Sequence, residues 1–149
     1  MQDKYEALRL CNQLCFPIYA CSKEITRAYK PMLDAFDLTY TQYLVMMVLW
    51  EKGRINVKTL GDALLLDSGT LTPVLKKLEH KGYITRERSQ ADERNLEVEI
   101  TEQGAALRVE ALKIPTWMST CMNLTEDDVH TMYELLYKLL KNVRNHMTE

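Results

Sequence analysis

The sequence predicts a mainly helical fold that carries one small β-hairpin. Three observations predict it. Apolar residues recur at three- and four-residue spacing over most of the 149 residues. Within 57–81, two short helical patterns follow one another with only a capping turn between them. Directly afterwards, two alternating segments, 83–88 and 96–101, flank the polar tip 89–95. Two helices followed by a hairpin form the layout of a winged helix-turn-helix, which sets one helix in a DNA major groove and a hairpin beside it.

Each element follows from local signals. Residues 8–29 read as a helix with Leu8, Cys11, Leu14, Cys15, Ile18 and Ile25 at apolar positions. Pro17 removes the backbone bond to the Gln13 carbonyl, which predicts a kink or a restart; a restart would leave Cys15 close to a helix N-terminus. A second helix covers about 41–50, introduced by the capping candidates Thr39 and Thr41 and broken by Gly53. In 57–65, Val57, Leu60, Ala63 and Leu64 share one face. Asp67 or Ser68 caps the next helix, since a short side-chain oxygen satisfies free N–H groups. Leu71, Val74, Leu75 and Leu78 form its buried stripe, Pro73 falls in its first turn, and Gly82 ends it in the left-handed region. A further helix spans 102–120, disturbed at Pro115. The last starts at Thr125, with Asp128 at capping-box spacing and a stripe of Val129, Met132, Tyr133, Leu136, Leu139, Leu140 and Val143.

The chain reads as a single domain over 1–149. A reading head at about 53–101 is flanked by helices at about 8–30 and 102–146. A lone winged helix does not need those flanking helices. Their apolar faces would be costly to expose, so they are expected to dimerise the chain. A two-fold dimer presents two recognition helices to one duplex, which predicts a pseudo-palindromic operator with half-sites roughly 34–36 Å apart.

Composition limits the function classes. A hydrophobic fraction of 46% is enough for a core, and no apolar run is long enough to span a membrane. The polar N-terminus lacks a signal-peptide core, so a cytoplasmic protein is expected. Four cysteines there suggest reduced thiols; their spacing matches neither a CxxC pair nor a zinc site. His80, His130 and His146 are scattered, and no metal or organic cofactor is called for. The net charge of −2 argues against a generally basic nucleic-acid binder. The distribution says more: 52–94 hold nine Lys/Arg against six Asp/Glu, whereas 95–149 hold five against nine. Positive charge is gathered on the reading head.

The outward face of 68–81 carries the expected DNA contacts Ser68, Thr70, Thr72, Lys76 and Lys77, with Lys81 further along. Small hydroxyls suit base edges or phosphates, and lysines suit phosphates. Arg86 and Arg94 are expected to serve the wing; either has an alternative role in a structural ion pair with Asp67 or Asp92.

The run 67–101, DSGTLTPVLKKLEHKGYITRERSQADERNLEVEIT, with Asp92 and Arg94 in its wing motif, resembles the MarR family of bacterial transcription regulators. The resemblance extends over nearly the whole chain. NQLCF at 12–16, Tyr19, YKP at 29–31, LTYTQY at 38–43 and LDSGTLTP at 66–73 resemble the OhrR-like organic-peroxide sensors more closely. The resemblance implies a dimeric repressor whose Cys15 is oxidised by an organic hydroperoxide, releasing DNA. It also implies that Tyr29 and Tyr40 from the other subunit hydrogen-bond to Cys15, with Tyr19 nearby in its own helix. Such a site needs a thiolate, because only the thiolate attacks the O–O bond, and phenolic donors stabilise that anion. Cys121 is a candidate resolving cysteine; a low-molecular-weight thiol is the alternative within the group. Cys11 and Cys21 read as ordinary packing.

Two other readings stay open. A MarR-type repressor commonly responds to a small aromatic acid, which the tyrosine-rich space between dimer helices would hold. A thiol peroxidase turning over at Cys15 has less support, since the thioredoxin-like alternation of strands and helices is missing.

Overall fold

A computed structural model describes residues 4–89 and 95–147. The chain divides into two units, Met1–Ile114 and Pro115–Glu149. Asp92 and Arg94 lie outside the described residues, as does most of the wing tip.

The first unit is built around α2 (Tyr40–Lys52), whose run YLVMMVLW is apolar on every side. A helix of that kind must be covered all round. It touches α1 (Cys15–Asp34), α3 (Val57–Leu64), α4 (Ser68–His80) and α5 (Glu102–Ala111). Val45, Met46 and Leu49 are fully buried, each worth roughly 1.5–3 kcal/mol of removed apolar surface. Thr39 starts α2 with a complete capping box: its hydroxyl accepts from the Gln42 N–H, and Gln42 Oε1 accepts from the Thr39 N–H. Leu33, Phe36 and Leu38 close the core from the α1–α2 turn.

The N-terminal segment departs from the expected continuous helix over 8–29. Short 3-10 turns at Glu6–Leu8 and Leu10–Asn12 precede α1, which begins at Cys15. Side chains replace helical bonds here: Asn12 Nδ2 donates to the Glu6 carbonyl and Gln13 Nε2 to the Ala7 carbonyl. Pro17 then falls in the first turn of α1, where a missing N–H costs little. The restart alternative is the one found.

The helix-turn-helix and hairpin are present with two corrections. Gly53, at φ 71°, turns the chain into a strand that sequence periodicity missed, β1 (Arg54–Asn56). β1 pairs with β3 (Leu96–Ile100), which pairs with β2 (Ile84–Arg88), giving an antiparallel sheet of order β1-β3-β2. Ile55 and Arg86 both lie opposite the buried Val98. The second correction is Pro73: α4 starts at Ser68, so Pro73 is its sixth residue rather than part of the first turn. The carbonyl four residues back belongs to Gly69, which is exposed to solvent. Leu71, Leu75 and Leu78 form the buried stripe, and Gly82, at φ 76°, follows the helix end.

The expected helix over 102–120 is two helices. α5, capped by Thr101, ends at Ala111, and α6 (Lys113–Met122) follows one residue later. Pro115 cannot donate to the Ala111 carbonyl, which places the break there. The second unit holds α6 from Pro115 onward and α7 (Glu126–Met147). Thr125 and Asp128 bond reciprocally at the start of α7. Its apolar stripe is solvent-facing in the single chain: Met132, Leu136, Leu140 and Val143 are each at least 38% exposed. Among the described residues no helix is long and apolar enough to cross a membrane.

Candidate nucleic-acid interface and thiol site

Asp67, not Ser68, caps α4. Its carboxylate accepts from the Thr70 N–H at 2.8 Å and from the Thr70 hydroxyl at 3.0 Å. These bonds, the backbone one foremost, hold the Asp67 carboxyl below the usual carboxylate range. Ser68, Thr70, Thr72, Lys76 and Lys77 all lie on the exposed face, as the spacing required. Thr70 has committed its hydroxyl proton to the cap, so it faces outward as an acceptor. Among the described residues neither Lys76 nor Lys77 makes an ion pair, and both charges are available to phosphates.

Arg86 is engaged within the fold. Its guanidinium donates to Glu79 Oε2 at 2.6 and 3.0 Å, its backbone N–H donates to Glu79 Oε1, and its side chain is only 18% exposed. The structural ion pair is present, and among the described residues its partner is Glu79 of α4 rather than Asp67; Asp92 lies outside the described residues. The pair ties the recognition helix to β2 and holds the Glu79 carboxyl below its ordinary value. Arg54, which sequence reading passed over, is likewise engaged, with Glu97 at 2.6 Å and Glu99 at 3.2 Å across the sheet. The register Arg54↔Glu99 explains the contact, but it depends on β1, which periodicity did not reveal.

Cys15 is the first residue of α1, exposed, and free, like Cys11, Cys21 and Cys121. No side chain caps this helix start. Cys11 is in a 3-10 turn rather than one α-helical turn before Cys15. Tyr19 lies one turn after Cys15 on the same side of α1 and is 63% exposed.

Tyr29 and Tyr40 meet each other, with ring centroids 4.8 Å apart, and Tyr43 joins them at 5.9 Å from Tyr29. Burial pushes all three phenols above the ordinary tyrosine value, so they are protonated donors at neutral pH. They do not reach the thiol of their own chain. Cys15 and Tyr29 belong to one helix and are fourteen residues apart, about 21 Å along its axis. The same argument places Cys21 about 9 Å along the axis from Cys15, too far for a disulfide.

Residues 27–110 match the family model described as the transcriptional regulator SarA/Rot. An organic hydroperoxide resistance transcriptional regulator of Bacillus subtilis is 44% identical over 143 residues, covering 96% of this chain and 97% of its own. A structure of reduced AbfR bound to DNA is 38% identical, with a TM-score of 0.76, covering 95% of this chain and 99% of that one. A mutant MarR from Escherichia coli, complexed with operator DNA, is 27% identical with a TM-score of 0.80, covering 93% of this chain and 99% of that one. Fold, reading head and sequence thus agree, and the chain belongs to the MarR-type winged-helix transcription regulators, in the branch that includes SarA/Rot and the organic hydroperoxide resistance regulators.

Proposed function

We propose that the protein is a dimeric repressor that binds a pseudo-palindromic operator and leaves it when Cys15 is oxidised by an organic hydroperoxide. The observation that carries this reading is the placement of Cys15. It is exposed at the start of α1, and the tyrosines that would bind it are about 21 Å along the axis in the same chain. Tyr29 and Tyr40 can then reach the thiol only from a second copy. The uncovered apolar stripe of α7 supplies a surface for such pairing.

The chemistry balances without a cofactor. The Cys15 thiolate attacks the distal oxygen of the hydroperoxide; an S–O bond forms and the O–O bond breaks. Sulfur is oxidised to a sulfenic acid, and the peroxide leaves as alkoxide, which takes a proton to become the alcohol. Free N–H groups at the start of α1 favour the attacking anion, as would donated phenol protons from Tyr29 and Tyr40 of a second copy, with Tyr19 beside it. A thiol then condenses with the sulfenic acid and water leaves; Cys121 or a small external thiol supplies it. Sulfenate or disulfide formation displaces the phenols and shifts the two reading heads. Ser68, Thr70, Thr72, Lys76 and Lys77 face the groove, and Asp92 and Arg94 belong to the wing.

A small aromatic acid is the second reading. A cavity of about 460 Å³ favours it: Leu33, Leu38 and Tyr40 are among its lining residues, and Lys23 and Arg27 supply cations beside the paired Lys30 and Asp34. One experiment separates the two. Binding to DNA from upstream of the protein's own gene is measured under reducing conditions and after cumene hydroperoxide, for the unmutated protein and for Cys15→Ser. Release confined to the unmutated protein is expected. Binding that survives oxidant in both proteins, and is broken by salicylate in both, would replace the thiol switch with the ligand.

A further inference from the structure

The tyrosine cluster continues beyond Tyr40 and Tyr29. Tyr43, 3% exposed, packs against Tyr29 on one side and against Trp50 on the other, where the rings meet edge-on at 6.0 Å. The Trp50 indole N–H donates to the Gly104 carbonyl at 2.9 Å. Gly104, in the first turn of α5, is pressed against the Tyr83 carbonyl: a Cβ there would lie 2.1 Å from that oxygen. Thr101 fastens the same place, its N–H donating to the Tyr83 carbonyl and its hydroxyl to the Gly82 carbonyl at 2.7 Å. Gly82 and Tyr83 are the joint between the recognition helix α4 and wing strand β2. A line of packed and directional contacts therefore runs from the tyrosines to the joint of the reading head.

We propose that Trp50 is a positioning residue for the redox response, passing the displacement of the tyrosine cluster to the α4–β2 joint through its hydrogen bond to Gly104. This rests on the reading of Cys15 as the sensor. Coupling between two sites requires an element that both of them bias. Trp50 is placed to be that element, since one side chain makes both contacts: its ring packs at a steep angle on Tyr43 of the cluster, and its single donor bonds α5 where α5 bears on the joint.

Trp50→Phe keeps an aromatic ring beside Tyr43 and removes the donor. Three quantities are measured for it and for the unmutated protein: DNA affinity when reduced, DNA affinity after cumene hydroperoxide, and the yield of Cys15 sulfenate trapped by a dimedone probe. The expected result is reduced-state affinity within about threefold, an unchanged sulfenate yield, and a roughly tenfold loss in the ratio of oxidised to reduced Kd, the scale of a site-to-site coupling. A variant that is oxidised and released like the unmutated protein overturns the proposal. Failure of the unmutated protein to release DNA once oxidised would instead sink the sensor reading, and it shows in a separate arm. A second readout needs no Trp50 variant. In Trp117→Phe, Trp50 is the one remaining indole of the two in the chain, and its emission should shift on oxidation. An unshifted spectrum with Cys15 fully oxidised also overturns the proposal.

Discussion

Replacing Gly104 with alanine tests the joint where α5, the wing and Trp50 meet. Gly104 is helical and outside the left-handed region, so in an open helix alanine would stabilise by about 1 kcal/mol. Here the new Cβ would stand 2.1 Å from the Tyr83 oxygen, 3.0 Å from its carbonyl carbon and 3.1 Å from Ile100 Cγ1. Ordinary contact begins at 3.4 Å, so α5 must move by more than an ångström, and the opposing atoms are mainly backbone that cannot rotate away. Overpacking of this kind costs about 3 kcal/mol, at the upper end of its usual range. Weakening one of the bonds from Thr101 or Trp50 adds about 1 kcal/mol. After the helical gain, the net loss is about 3 kcal/mol, equivalent to a fall in Tm of roughly 6–12 °C for a chain of this size. Thermal unfolding followed by circular dichroism measures it, at matched protein concentration because dimer formation is coupled to stability. A variant that melts at or above the temperature of the unmutated protein would refute the argument, since helix propensity would then outweigh the clash.

Two further outcomes are expected. Arg86→Met keeps the aliphatic stem but leaves Glu79 without its guanidinium, and a loss of about 1–2 kcal/mol at neutral pH is expected for a partly exposed, forked pair. Because the folded Glu79 value lies below the ordinary 4.5, this contribution is complete above that pH and disappears as pH falls through the folded value. The two melting temperatures should therefore converge in acid; a gap that persists there would show that packing, not charge, is responsible. Leu136→Glu places a carboxylate in the apolar stripe of α7 and is expected to yield a monomer by sedimentation, with DNA binding much reduced; a stable dimer would remove α7 from the proposed interface.

Most of the fold was legible because caps and periodicity are local. Thr39, Thr101 and Thr125 each mark a helix start that a short side chain can define alone. What was not legible depended on distant partners or on competing local bonds. β1 is three residues long, and nothing in Arg54-Ile55-Asn56 specifies a strand until β3 lies beside it. The apolar spacing of 8–14 suggested a helix, yet Asn12 and Gln13 spend their side chains on backbone carbonyls of the preceding turn. At the site, Cys15 and its helix start were visible through Pro17, whereas the choice of Glu79 as the partner of Arg86 follows from how α4 packs on β2. The line from Tyr43 to Trp50 to Gly104 could not be read, since it joins residues 54 positions apart.

The division of labour among the cations explains how a chain of net charge −2 can address DNA. Two arginines of the sheet are spent internally: Arg54 braces β1 to β3, and Arg86 braces α4 to β2. A planar fork suits this work because it fixes distance and angle together. The lysines of α4, compact charges on flexible stems, remain for phosphates, which give affinity but little information about sequence. In the proposed function, base reading then falls to the small groups at the start of α4. The Asp67 cap narrows what they can do, because it takes the Thr70 proton and leaves that oxygen to accept from an exocyclic amino group. The carboxylate of Asp67 also sits beside the first-turn residues proposed to approach the duplex, where a negative charge would disfavour close phosphates. On that reading the braces, which fix how α4 sits on the sheet, matter as much as attraction to the duplex. On the proposed reading, a small movement at Gly82 and Tyr83 would turn that arrangement from a fit into a repulsion.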